Sequence, residues 1–291
     1  MLHMTTSAAI ASRVAREPRE AAPFVKWAGG KGRLLSQLRP LLPPGVARMR
    51  HVEPFVGGGA MFFSRQPSRA LLTDINPQLI DAYHAIRDDV DRVIDALEAL
   101  AADHCKERYY QVRERYNRGA RLTAEKRAAM FIYLNKTCFN GLHRVNRKGE
   151  FNVPFGSYKN PRILNEGGLR AASRALRSAE LRCSSFEALL ETAKPGDFIY
   201  FDPPYEPVST TASFTSYARD GFSRVDQRRL AEVYGALDRR GCKLMLSNSD
   251  VPFIRNLYRR FKVDIVAAPR AINCDAAKRG KVTEIVVRNY A

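Results

Sequence analysis

From Phe24 onward the chain alternates short apolar runs of strand length with longer stretches whose apolar residues recur at helical spacing. That is the pattern of a sheet flanked by helices. Strands are expected at 51–55, 70–74, 181–184, 198–201 and 243–247. Two more, at 263–267 and 284–289, read as a hairpin around a basic loop containing Arg270, Lys278 and Arg279. Between Asp74 and Leu181 the strand rhythm stops, and 79–100 and 123–134 read as helices. The expected architecture is α/β, a Rossmann-like, mostly parallel sheet built from 21–78 and 181–291. Into it is inserted a mostly helical domain, 79–180, and a disordered tail is expected over 1–20.

The 291 residues, 45% of them apolar, suffice for one large domain with an insertion. Apolar runs such as 198–201 fall far short of the roughly 18 residues a membrane span needs, so no membrane association is expected. The first 20 residues hold no long apolar stretch and do not read as a secretory signal. The five cysteines (Cys105, Cys138, Cys183, Cys242, Cys274) are odd in number and widely spaced. They argue against zinc and against a disulfide framework, and for a reducing cytoplasm. No histidine has neighbours that suggest a metal site.

The net charge is +18 and the pI about 10.0. Excess Lys and Arg can simply solubilise a chain. Here residues 101–180 hold 17 Lys/Arg against 7 Asp/Glu, so the charge gathers in the insertion. A surface that neutralises phosphates has this character, and nucleic acid is the expected partner.

The most specific motif is Phe198-Ile-Tyr-Phe-Asp-Pro-Pro-Tyr205, a buried strand stopped by an acid, two prolines and an aromatic. Sites in open α/β sheets form at such carboxyl ends. An exocyclic amine such as adenine N6 is a poor nucleophile because its lone pair is delocalised into the ring. Asp202 can accept one of its hydrogens, and the Pro203 carbonyl, fixed by the restricted Pro203 and Pro204, the other. Tyr205 offers a ring on which a base flipped from a duplex can stack. The bland reading is a turn that ends a strand. Asp-Pro-Pro-Tyr resembles motif IV of the amino-methyltransferases, where it goes with adenine N6.

A second motif, Val52-Glu-Pro-Phe-Val-Gly-Gly-Gly59, places a glycine-rich turn after a strand. Such turns let backbone approach a nucleotide-like cofactor, although one alone can be a plain turn. A second strand ending at Asp74 follows, and that acid can hold ribose hydroxyls. Phe55, Gly57 and Gly59, with Glu53 before them, resemble motif I of S-adenosylmethionine-dependent methyltransferases. A third motif, Phe24-Val-Lys-Trp-Ala-Gly-Gly-Lys31, fails as a phosphate loop, since the leading Gly is missing and Gly32 stands where Ser or Thr is required. Lys31 and the backbone of Trp27, Ala28 and Gly29 can instead take the methionine carboxylate of S-adenosylmethionine. The bland alternative makes Trp27 a core residue and Lys31 a surface charge.

With Phe139-Asn-Gly-Leu-His-Arg144 and Gly149-Glu-Phe-Asn-Val-Pro-Phe-Gly156, these motifs resemble the Dam-type, D12-class DNA adenine-N6 methyltransferases (the alpha group of amino-methyltransferases) from about Phe24 to the C-terminus, including 209–217 after the catalytic motif. The resemblance implies S-adenosylmethionine as cofactor, double-stranded DNA as substrate and methylation of adenine in GATC; a monomer is expected. It implies that Lys26 and Tyr158 lie near the first guanine, Leu142 and Pro154 near the thymine, and that Arg144 reads a guanine. Arg is the best bidentate partner of a guanine edge, and apolar groups suit the thymine methyl. Phe139, beside Asn140, stands where the family often has a tyrosine that wedges beside the flipped base. His143 stands where a cysteine is common and reads as a surface or DNA-facing residue. Arg127 represents the diffuse basic surface. The alternatives are an adenine-N6 methyltransferase of another DNA sequence or of RNA, and a DNA-binding regulator that has lost catalysis.

Overall fold

A computed structural model describes residues 20–119, 121–208, 222–269 and 281–291. The tail expected over 1–20, apart from Glu20, lies outside the described residues, as do 209–217, Cys274 and the basic loop residues Arg270, Lys278 and Arg279.

The strands are β1 (His51–Glu53), β2 (Ala70–Asp74), β3 (Ala179–Cys183), β4 (Phe198–Phe201), β5 (Lys243–Ser249), β6 (Lys262–Pro269) and β7 (Lys281–Arg288). They form one sheet of order β3-β2-β1-β4-β5-β7-β6. The first five run parallel, while β7 runs antiparallel to both β5 and β6. Strands at every expected position are present, β3 beginning earlier because Ala179 and Glu180 pair with Ala70 and Leu71.

Every residue of β4 is buried, as a central parallel strand covered on both faces requires. Ile199 and Phe201 pack with Leu230, Tyr234 and Leu237 of the Arg224–Arg239 helix. Phe198 and Tyr200 pack with Leu34, Leu38 and Met61 on the other side. Strand order reverses between β1 and β4, the switch point at which open α/β sheets bind ligands. His51 pairs with both Ala70 and Phe198, so counting on along the three strands brings Asp74 and Asp202 out level at one edge.

Between β2 and β3 lie the helices Pro77–Asp88, Val90–Ala102, Lys106–Arg118, Ala124–Thr137 and Glu166–Leu176, with a largely irregular stretch over 138–165 before the last. The Ala124–Thr137 helix is buried without interruption from Ala128 to Asn135, which makes it the centre of the bundle rather than an amphipathic wall. One apolar cluster runs from Phe24, Val56 and Leu72 on the sheet side through Tyr83, Leu97 and Ile132 in the helices. The helical reading of 79–100 is divided by Asp89, whose backbone (φ −148°, ψ 70°) lies outside the helical region and whose carboxylate accepts from the Arg92 N–H. It is the N-cap of the second helix, a role in which Asp is favoured.

Asp89→Ala should cost about 1 kcal/mol, and Asp89→Ser much less. Urea melts compared by midpoint at constant slope check this, and equal midpoints for wild type and Asp89→Ala would remove the cap from the account.

Candidate active site

Just past β4 stands Asp202, whose Oδ1 lies 2.7 Å from the buried Lys31 Nζ. Oδ1 itself is sealed from solvent, so the 21% exposure of the side chain belongs to its other atoms. Burial pushes the Asp202 carboxyl up to about 6, while the Lys31 ammonium opposes that shift. Lys31 also donates to the Gly29 carbonyl at 2.7 Å and lies 4.5 Å above the Tyr205 ring. A lysine expected at a cofactor carboxylate is therefore bound to the carboxylate of the catalytic motif.

Neighbouring strands and a helix hold the loop that follows. Gln227 donates to the Pro204 carbonyl at 2.9 Å, and Gln227 in turn accepts from Asn248 at 3.1 Å. Asn248 accepts the Glu206 N–H at 3.2 Å. The Pro203 carbonyl, next to Asp202, accepts no hydrogen bond from the described residues. The Tyr205 hydroxyl donates to Glu284 on β7 at 2.7 Å, which fixes the ring. Sequence reasoning missed Gln227, Asn248 and Glu284. Only Glu284 had a visible signal, an acid set in the apolar run of β7.

The glycine turn joins β1 to the Ala60–Arg65 helix. Gly57 and Gly59 both have positive φ, 47° and 69°. A Cβ on Gly57 would come within 2.6 Å of Trp27, and one on Gly59 within 2.7 Å of the Tyr83 hydroxyl. That hydroxyl donates to the Gly57 carbonyl at 3.0 Å. Asp74 takes the Gly57 N–H on Oδ2 at 3.1 Å and the Asn76 N–H on Oδ1 at 3.0 Å. Each oxygen retains a lone pair. Beside it Ile75 is 77% exposed, an apolar surface that sequence reasoning also missed. Phe55 is partly buried against Phe186 and Phe222. Glu53 is buried, 2.6 Å from His51 Nε2, and burial pushes its carboxyl up to about 8.

Several of the residues expected at DNA are in contact with one another. The Lys26 ammonium lies 3.9 Å over the Tyr158 ring, and a Cβ on Gly141 would meet the Lys26 side chain. Buried Asn135 fixes both segments, accepting the Lys26 N–H at 2.7 Å and donating to the carbonyls of Lys26 and Gly141. The Phe139 N–H donates to the Pro154 carbonyl at 2.9 Å, and the Phe139 ring is 50% exposed. Asn140 adopts φ 55°, which turns the chain sharply there, and Leu142 is partly buried. Exposed Arg144 donates through Nε to Asn152 at 2.7 Å across a hairpin closed by the Val145–Phe151 bridge.

Two expectations need correction. Arg127 is partly buried and donates to the Gly119 carbonyl at 2.8 Å, so it caps a helix end instead of representing a diffuse basic surface. His143 is not a free surface residue: its ring stacks on Trp27 (5.5 Å, 23°) and packs against Phe131 and Phe151. Among the described residues no cluster could hold a metal, and no helix is long and apolar enough to cross a membrane.

The sheet carries a glycine turn after β1 and Asp-Pro-Pro-Tyr after β4, the two motifs that resemble those of the S-adenosylmethionine-dependent amino-methyltransferases. The chain matches the D12 class N6 adenine-specific DNA methyltransferases over residues 27–272 and belongs to that family. It is 44% identical over 288 residues to the Type II methyltransferase M.MjaIII of Methanocaldococcus jannaschii, a match that spans 93% of this chain and 100% of that one. Identity to the Type II methyltransferase M1.LlaDCHI of Lactococcus lactis subsp. cremoris is 41% over 273 residues, spanning 92% and 95%. It is also 38% identical over 265 residues to the DNA adenine methylase of Escherichia coli (strain K12), spanning 90% and 93%. The protein is an adenine-specific DNA methyltransferase whose methyl donor is S-adenosylmethionine.

Gly57→Ala tests the turn. A left-handed backbone that costs an L-residue about 1–2 kcal/mol, together with the collision at Trp27, should weaken S-adenosylmethionine binding about tenfold or more and lower the Tm. Calorimetry that finds the affinity unchanged would show that the turn does not touch the cofactor.

Proposed function

We propose that the enzyme flips an adenine out of duplex DNA, stacks it on Tyr205 and methylates its N6 within GATC. The observation that carries this reading is the pairing, at one sheet edge, of a largely buried carboxylate with a carbonyl that has no partner among the described residues. Asp202 accepts one N6 hydrogen and the Pro203 carbonyl the other, which draws the nitrogen toward tetrahedral geometry and localises its lone pair. Bound S-adenosylmethionine supplies an electrophilic methyl group. Gln227, Asn248 and Glu284 keep the acceptors and the stacking ring in place before the base arrives, so little reorganisation is needed. Lys31 keeps Asp202 ionised.

The cofactor fits the glycine side of the same edge. Gly57 and Gly59 form a left-handed turn packed closely against Trp27 and the Tyr83 hydroxyl, the spare lone pairs of Asp74 suit ribose hydroxyls, and exposed Ile75 suits a flat heteroaromatic ring. The backbone of Ala28 and Gly29, beside Trp27, suits the methionine end. On the DNA side, Lys26 and Tyr158 form one contact, and Phe139, Asn140, Leu142, Pro154 and Arg144 continue the surface. The helical segment 79–180 acts as the target-recognition part. Methylation of a random-sequence duplex library, read by single-molecule mapping of N6-methyladenine, tests target and activity together. A mapped consensus other than GATC would overturn the target.

Asp202→Ala should abolish methylation with cofactor and DNA affinity largely kept, because the carboxylate acts on N6 in the transition state. Turnover within about tenfold of wild type would remove it from the mechanism. Protonation also silences Asp202. The pH profile of kcat/KM should therefore fall on the acid side of about pH 6, approaching tenfold per unit. Lys31 lowers the Asp202 pKa, so Lys31→Met should move that limb to higher pH, and an unmoved limb would break the link.

Arg144→Ala should relax discrimination at one base pair by roughly 1–3 kcal/mol. Lys148→Ala, an exposed residue of the same hairpin, should weaken binding to all sequences alike and flatten the salt dependence. Methylation rates on the mapped target and on single-base-pair variants separate the two. A uniform loss in Arg144→Ala would make Arg144 a phosphate contact.

A further inference from the structure

His143 belongs to a closed ring of contacts that joins the DNA-side hairpin to the turn on the cofactor side. Its Nδ1 is 3.3 Å from Asn76 Nδ2, and the Asn76 N–H donates to Asp74. Asp74 accepts the Gly57 N–H, Gly57 lies under Trp27, and Trp27 stacks on His143. Its chain neighbours are Leu142 and Arg144, both on the surface proposed to read DNA.

The polarity of this ring follows from one helix cap. Asn76 Oδ1 accepts the Leu79 N–H at 3.1 Å at the start of the Pro77–Asp88 helix, so its Nδ2 is the atom that faces the imidazole. An amide nitrogen can only donate, hence His143 Nδ1 accepts and the ring proton sits on Nε2. Nε2–H then donates to Gln78 Oε1 at 3.1 Å. Burial holds the imidazole down at about 4, which keeps it in this neutral form near pH 7. The ring is gripped by two polar contacts from the segment after β2 and by Trp27, Phe131 and Phe151 around its faces.

We propose that His143 is a positioning residue that couples the Asp74–Gly57 turn to the Leu142–Arg144 segment, so that cofactor and DNA each bind more tightly when the other is present. A shift of the glycine turn moves Trp27 and Asn76 together, and both bear on the imidazole, whose backbone carries the neighbouring reader. This deepens the function proposed above, since it rests on Asp74 holding the cofactor and the hairpin reading DNA. Coupling of this kind is reciprocal, and typical couplings change affinity about 5–150-fold.

The test measures the affinity of a fluorescein-labelled duplex carrying the mapped target, with and without saturating S-adenosylhomocysteine. The same ratio is measured for His143→Phe, which keeps ring packing on Trp27 but loses both polar contacts. The wild-type protein should bind the duplex at least about 5-fold more tightly with the cofactor product present. In the variant that ratio should drop toward one, with S-adenosylhomocysteine affinity in the absence of DNA little changed. A mere packing role leaves the ratio untouched while the Tm shifts. Should His143→Phe fail to fold, Gln78→Ala, which removes the Nε2 partner alone, should lower the ratio in the same direction. A wild-type ratio of one, or a folded variant that retains the full ratio, overturns the proposal. Asp74→Ala separates the two layers: unchanged S-adenosylhomocysteine affinity in that variant sinks the cofactor assignment, whereas retained coupling in His143→Phe sinks only the role of His143.

Discussion

One carboxylate sets the geometry on which the site depends. Asp74, at the end of β2, accepts the N–H of Gly57 from the turn after β1 and the N–H of Asn76 from the start of the next helix. Burial raises its pKa, and the backbone amides of Asn76, Gly57 and Ile75 oppose that rise. With the turn held, the Gly57 carbonyl meets the Tyr83 hydroxyl and its open Cα lies under Trp27. Trp27 begins the short loop, tightened by the Gly30 N–H on its own carbonyl, that delivers Lys31 to Asp202. A short loop thus separates the Lys31–Asp202 contact from a turn built around another acid.

The Lys31–Asp202 pair is an expensive thing to bury, since desolvating two charges offsets much of their attraction. A pair that only stabilised the fold would be better replaced by apolar side chains. In the function proposed above, the pair at the end of a central strand holds an acceptor ready in a poorly solvated site, where a hydrogen bond to a developing charge is strongest. Tyr205 shows the same logic, with its hydroxyl on Glu284 and an ammonium over its ring.

The strands were legible because fully covered strands are written as unbroken apolar runs, and Phe198 to Phe201 is such a run. The glycine turn and Asp-Pro-Pro-Tyr were legible because Gly and Pro constrain backbone locally. What escaped depended on distant encounters. Glu284 meets Tyr205 across 79 residues of chain and His143 meets Asn76 across 67, separations at which no periodicity carries information. Arg127 misled for a different reason: its tie to Gly119 is only eight residues away, but it depends on how the chain turns between two helices, which residue spacing does not report. Asp89 was a milder failure, since the apolar spacing of 79–100 suits one helix and only the cap geometry breaks it.

The shared apolar cluster has a consequence for how such enzymes diversify. Phe24, Val56 and Leu72 on the sheet side pack in one continuous body with Tyr83, Leu97 and Ile132 in the helical segment. Recombination that exchanged 79–180 whole between two enzymes would cut through that body and leave mismatched halves. The hairpin from Arg144 to Asn152 is a different kind of unit, closed on itself by the Val145–Phe151 bridge and touching the core through Phe151. On the target-reading role proposed above, new target sequences are inherited through point changes and short grafts on that hairpin and the residues beside it, with the helical scaffold passed on intact.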